Sequence, residues 1–286
     1  MVSSRSIEDG DDQDEQKSQY RLIEHVRQEI TPSWGDAVLL SCCFVSGLLD
    51  AGIFNVWSCF VGMQTGKATY PESTTQFLMI RTGNTIYAGL GVAGLPGDQP
   101  YRWIKSLTSI ACYILGCAFF SRVQRWMQPL RRGTLAASFT LQALCCLVSA
   151  ALTQTGVVPL DAGNEGLARG DYIVLLPLGM LAFQAGGQTV ISRVLGYSEL
   201  PSVVLTSTYC DLAMDEKLIT AAPSENVKRN RRIVSVIMFF AAAVAGGFLT
   251  KDGDLTKSLW VAGSIKVVIA VVWMFWKSKD EGVRLE

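Results

Sequence analysis

Asp36-Ala37-Val38-Leu39-Leu40-Ser41-Cys42-Cys43-Phe44-Val45-Ser46-Gly47-Leu48-Leu49-Asp50-Ala51-Gly52-Ile53-Phe54-Asn55-Val56-Trp57 decides how this chain is read. The run lacks the polar stripe that a surface helix of a soluble domain keeps. As an α-helix at 1.5 Å per residue it reaches about 33 Å, enough to cross the hydrocarbon core of a bilayer. Asp50 stands against that setting. A lipid-facing carboxylate at a helix centre costs about 2.5–3.5 kcal/mol even on the lenient insertion scale. Asp50 is therefore expected to face a protein interior, a cavity or a partner.

The rest of the chain repeats the pattern. Of its 286 residues, 49% are hydrophobic and 17% charged, and the mean hydropathy is +0.28. Soluble domains carry roughly 25% charged residues, and here the deficit is gathered into long apolar blocks. A formal net charge of zero gives no electrostatic footprint for nucleic acid. The eight cysteines form no Cys-x-x-Cys pair and lie in or beside apolar stretches, so they read as small buried hydrophobes rather than metal ligands. His25, the single histidine, lies in the polar N-terminal arm and reads as a surface residue.

Met1–Lys17 is acidic and is expected to be unstructured, not a secretory signal. Tyr20–Ile30 has the spacing of a short amphipathic helix lying on the membrane or on the protein's own cytosolic face. After the first block come Ile104–Ser121, Thr134–Thr155, Tyr172–Ile191, Ile233–Thr250 and Ser258–Trp276, with Trp and Tyr near several ends. Thr85–Leu95 and Leu200–Met214 are apolar but short. Arg122, Arg125, Arg131 and Arg132 mark one loop as cytosolic, and Lys217, Lys228, Arg229, Arg231 and Arg232 mark another. Asp161, Glu165 and Asp171 mark the loop between them as external. If every apolar piece crossed, the two basic loops would fall on opposite sides; if the two short pieces are re-entrant or half-helical, both lie inside with the two termini. The predicted fold is therefore all-α: a polytopic transmembrane bundle of six full spans plus two short embedded segments, with cytosolic termini. Seven or eight shorter spans are the alternative. Residues 1–33 form the cytosolic arm, 34–278 the transmembrane domain and 279–286 a cytosolic tail.

Two features point to an internal repeat and to a disturbance within it. Asp50-Ala51-Gly52 followed by Gln64-Thr65-Gly66 is echoed by Gln184-Ala185-Gly186 followed by Leu205-Thr206-Ser207. In the six-span scheme the halves run in opposite directions, a plan that secondary transporters use to bring broken helices together near the midplane. The disturbance is Lys67–Gly83, a polar, Pro-containing stretch bounded by Thr65-Gly66 and Thr82-Gly83. Its removal would join Gln64-Thr65-Gly66 to Asn84-Thr85, so residues 67–83 read as an insertion or a translated intron; a genuine extramembrane loop is the alternative.

Gly47-Leu48-Leu49-Asp50-Ala51 and the interrupted Thr65-Gly66…Asn84 resemble the signature of the YoaK-like integral membrane proteins, a domain-of-unknown-function family of bacteria and fungi. Leu200-Pro201-Ser202-Val203-Val204-Leu205-Thr206-Ser207, with Tyr209, Asp211 and Leu212, is similar to the second motif of the fungal members. The resemblance runs over about 36–276 and implies six or seven membrane helices, with no established activity.

Asp50, Gln64, Thr65, Gly66, Asn84, Gln184, Thr206 and Ser207 are the candidate substrate-binding residues, since intramembrane carboxylates, amides and freed backbone at a helix break suit a small polar ligand or ion. Helix capping by Thr and Asn, and helix packing by Gln184 and Gln188, are the plainer readings. No catalytic group, metal site or cofactor is expected: phosphate-loop and metal spacings are missing, and Gly89-x-Gly91-x-x-Gly94 has no preceding strand. The expected partners are the lipid bilayer and a small molecule or ion, with a homo-oligomer left open and no nucleic acid. The expected function is small-molecule or ion transport or export; the alternative is a membrane scaffold or an accessory or enzyme of lipid or secondary-metabolite chemistry.

Overall fold

The computed structural model describes residues 5–63, 67–68, 81–95, 101–159, 167, 170, 172–197, 199–200 and 205–279. Among these, nine helices follow one another: α1 (Arg5–Arg27), α2 (Gly35–Trp57), α3 (Asn84–Val92), α4 (Arg102–Met127), α5 (Arg132–Gln154), α6 (Leu175–Val194), α7 (Leu205–Ala213), α8 (Val227–Leu249) and α9 (Thr256–Met274). The chain is an all-helical integral membrane protein: α2, α4, α5, α8 and α9 are each long and apolar enough to cross a bilayer. Helix α6 has 20 residues but carries Gln184, Gln188, Thr189, Ser192 and Arg193, so it is more polar along its length. The two short apolar pieces form the nine-residue helices α3 and α7, about 14 Å each and too short to span.

Three pairings build the bundle: α2 with α8, α4 with α6, and α5 with α9. Exchanging α2–α5 for α6–α9 turns the first pairing into the second and leaves the third unchanged. The same exchange turns α3–α4 into α7–α8, and α5–α6 into α9–α2. Helices α2 and α8 run parallel, as shown by Asp36 with Arg231 near their starts and Asn55 with Thr250 near their ends. Helices α4 and α6 are also parallel, from Gly179 against Cys112 to Gly187 against Phe120. Helices α5 and α9 are antiparallel, from Thr153 with Thr256 to Arg132 with Trp276. Helix α6 thus runs against α2, the pairing an inverted repeat produces.

Glycine sets the closeness of two of these pairings. A methyl at Gly47 would strike the carbonyl of Phe239, and one at Gly246 would lie 2.7 Å from that of Leu48. In the second pairing, Gly116 meets the carbonyl of Phe183, and Gly186 that of Tyr113. These backbones approach closely because the side chain is missing, as small residues allow between membrane helices.

Two apolar clusters fill the interior. One gathers Leu48, Leu49, Cys146, Ala150, Leu178, Leu181, Leu259 and Ala262; the other gathers Val38, Leu39, Leu135, Phe139, Ile191, Ile269 and Trp273. Of the eight cysteines, all free, Cys42, Cys43, Cys59, Cys145 and Cys146 are buried, Cys112 and Cys117 half-buried, and Cys210 exposed.

The N-terminal arm departs from its sequence reading. Helix α1 begins at Arg5 and so takes in the acidic stretch expected to be unstructured. His25 is half-buried and not a free surface residue. It lies 2.8 Å from the carbonyl of Met274 through Nε2 and 2.9 Å from Arg132 through Nδ1. The strand-like stretch after α1 closes the end of the bundle, with Ile30 N–H donating to the Leu130 carbonyl and Lys279 N–H to that of Glu29. A lone segment composition carries no information about these docking partners, because they come from α5 and the tail after α9. At this same end lie the α4–α5 turn with Arg131, and Arg231 paired to Asp36 and Glu199. Both basic loops therefore share one end with Glu29-Ile30 and with the chain that leaves α9.

Candidate functional site

After α2 the chain turns back toward Asp50. Helix α2 ends at Ser58, whose left-handed backbone (φ 55°) turns the chain back on itself. Asp50 lies two turns before that end, about 10 Å down the helix. Its Oδ1 accepts from the backbone amides of Val61 and Gly62, each at 2.9 Å, and Oδ2 accepts from Met63 at 3.1 Å. Three amides left without helical or sheet partners thus converge on one carboxylate, which is how irregular backbone is tolerated inside a membrane bundle. Asn84, the first residue of α3, secures the same loop from the other side. Its amide nitrogen donates to the Phe60 carbonyl at 2.7 Å, and its oxygen accepts from the Phe60 amide at 3.2 Å. Ser109 of α4 also donates to the Phe60 carbonyl, at 2.7 Å.

A cation completes this end. Lys105, buried in the second turn of α4, donates to the carbonyl of Trp57 at 2.8 Å, where the α2 dipole is negative. Arg102 lies over the Tyr87 ring at 3.6 Å from its centroid, with Phe54 at 5.5 Å on another side. The second half repeats the device at the opposite end, where Arg231 near the start of α8 reaches Glu199 just beyond α6.

Of the sequence-predicted residues, Asp50 and Asn84 are therefore brought together on the loop at 58–63. Gln64, Thr65 and Gly66 lie outside the described residues. Gln184 is buried on α6 and its Oε1 has no hydrogen-bond partner. Thr206 and Ser207 are exposed in the first turn of α7, which packs on α8 at the other end of the bundle. The two broken segments do not meet at mid-depth as the sequence reading expects. Each instead packs on the third helix of its own half, α3 on α4 and α7 on α8, because that neighbour follows closest in the chain. The ends of the polar stretch at 67–83 pair antiparallel, Lys67 with Thr82 and Ala68 with Arg81.

The middle of the bundle holds a group that the sequence reading passed over. Between the two apolar clusters lies a polar layer: Ser46 on α2, Gln142 on α5, Gln184 and Gln188 on α6, and Lys266 on α9. Lys266 is 0% exposed. Its Nζ donates to Gln142 Oε1 at 2.7 Å and Gln188 Oε1 at 2.9 Å. The Gln188 amide nitrogen donates in turn to Ser46 Oγ at 2.7 Å and to the Cys42 carbonyl at 3.1 Å. No carboxylate among the described residues pairs with Lys266, and the Gln142 amide nitrogen has no partner. The argument that singled out Asp50 applies equally to a lysine in the middle of Ser258–Trp276, so the signal was present in the sequence. Its partners were not, since Gln142 and Gln188 are distant in the chain.

Elsewhere, an apolar groove of about 410 Å³ runs between α5 and α9, with Val26 of α1 on its rim. Its lining suits an acyl chain, not a polar ligand. Among the described residues no group of histidines, cysteines and carboxylates could hold a metal ion.

No curated protein and no solved structure matches this chain. A family model described as "Protein of unknown function (DUF1275)" matches residues 68–272, from the polar stretch before α3 to the last turn of α9. The match leaves out α2 with Asp50 and takes in α3 to α8, both halves of the polar layer's α5–α6 contact, and Lys266. It spans well over half of the 286 residues, and on that ground the chain belongs to the DUF1275 family.

Proposed function

We propose that this protein is a small-molecule or ion transporter that works by movement of its two oppositely directed halves. The observation that carries the reading is the polar layer of Ser46, Gln142, Gln184, Gln188 and Lys266, buried at mid-depth where helices of both halves touch. An uncharged scaffold core would need none of these groups, and burial of a charged or amide side chain in hydrocarbon is costly enough to mark function. Exchangeable pairings and re-entrant loops at opposite ends support the same reading. In this reading six helices span the bilayer, and the basic end with both termini faces the cytosol. Asp50, Asn84 and the adjoining Gln64, Thr65 and Gly66 shape one entrance, Thr206 and Ser207 the other, and Gln184 faces the path between them. Residues 67–83 are an insertion outside the bundle.

The test is metabolite profiling of cells and medium for a strain lacking the gene, with add-back of the wild type and of Asp50→Asn. The expected result is a compound whose distribution between cell and medium shifts on deletion, returns with the wild type and does not return with an Asp50→Asn protein that inserts normally. A distribution unchanged by deletion, or restored equally by both forms, would overturn the reading.

A further inference from the structure

We propose that Lys266 is a proton-binding site at the centre of the bundle: the neutral amine closes the contact between α5, α6 and α9, and the ammonium opens it. A neutral amine has two N–H donors and a lone pair, whereas an ammonium has three donors and no acceptor. Two acceptors face Nζ, the Oε1 atoms of Gln142 and Gln188. The Gln188 orientation is fixed, because its nitrogen is committed to Ser46 and the Cys42 carbonyl. The Gln142 nitrogen is buried without a partner. Lys266 is therefore satisfied with two protons and not with three.

A third proton changes this balance. The Phe139 ring lies 5.6 Å from Nζ at its centroid, a weak cation–π contact that supplies no conventional hydrogen-bond acceptor. The titratable groups acting on Lys266 are thiols: Cys42 on α2, and Cys145 and Cys146 on α5. Helix α6 presents the Gln188 amide to it, with the uncharged Gln184 in the same layer. Among the described residues no carboxylate neutralises the added charge, and apolar clusters lie above and below. An ammonium here needs water or an anion as its third partner, and admitting one requires parting α9 from α5 or α6. Helices α5 and α9 are the pair exchanged with each other between the two halves, so the proton acts where the halves meet. The proposal rests on the transport reading only for what that opening serves; the opening itself needs no substrate.

The experiment is hydrogen–deuterium exchange of the full chain in lipid nanodiscs between about pH 9 and about pH 5, corrected for the intrinsic pH dependence of exchange. Peptides covering 139–147 and 262–270 are expected to exchange several-fold faster at the acidic end in the wild type, and to stay slow throughout in Lys266→Met. Gln142→Glu supplies an anionic partner in place and is expected to hold the site closed to lower pH, which keeps the test decisive should Lys266→Met not fold. A flat wild-type profile, or the wild-type profile persisting in either variant, would overturn the proton site. The transport reading stands or falls separately, on the metabolite distributions.

Discussion

Lys266 Nζ and Gln142 Oε1 lie 2.7 Å apart at the middle of two helices that occupy matching positions in the two halves, so one half contributes the amine and the other the amide. Cutting Lys266 off from Gln142 leaves a buried donor unsatisfied. Gln142→Leu is expected to lower stability by about 1–3 kcal/mol. The double variant Gln142→Leu with Lys266→Met should recover part of that loss, since it replaces the buried pair with apolar groups but leaves Gln188 Oε1 without its donor. Thermal unfolding in detergent reads both, and equal losses for the single and double variants would show that the two residues do not act together.

Asp50→Ala strands three amides at once. Hydrogen bonds to a charged group contribute about 1.5–3 kcal/mol each, with strong non-additivity, so a total loss of about 3 kcal/mol or more is expected. Exchange at residues 60–63 should rise far more than exchange in α5 or α9. Asn at the same position keeps one acceptor oxygen and is expected to fall between wild type and Ala. Equal protection of the loop in all three proteins would contradict the anchoring role.

Gly116 and Gly186 meet backbone carbonyls across α4 and α6. Gly116→Ala therefore forces these helices apart, at a cost of about 1–3 kcal/mol for an overpacked contact. Gly247, with open space around it, provides the control: Gly247→Ala should leave the melting temperature unchanged or slightly raised. A matching fall for both substitutions would point to a general intolerance of helix glycines instead.

The chain leaves and returns at one point around residues 67–82, because Lys67 pairs with Thr82. Paired residues on adjacent strands are about 4.5–5.5 Å apart, close to the 3.8 Å between consecutive Cα atoms. Deleting residues 68–81 should thus join Lys67 to Thr82 with little strain. The shortened protein is expected to express as a monodisperse species with a melting temperature at least equal to that of the full chain, since loop closure costs less. Aggregation of the shortened form would show that the stretch belongs to the fold.

Composition and the spacing of apolar blocks were sufficient to establish a helical membrane bundle, because hydrocarbon burial demands long uninterrupted runs and leaves few ways to satisfy the backbone. The brevity of α3 and α7 and the gathering of the basic loops at one end were legible for the same reason. So was the expectation that Asp50 could not face lipid. Which amides Asp50 would take, and that Asn84 would hold the same loop from α3, required the chain to turn back at Ser58. Lys266 was visible in the sequence as an isolated charge. Only the tertiary structure decided that its companions are Gln142 and Gln188, with no carboxylate. Helix packing brings together residues more than 70 positions apart, and local pattern says nothing about contacts formed at that separation.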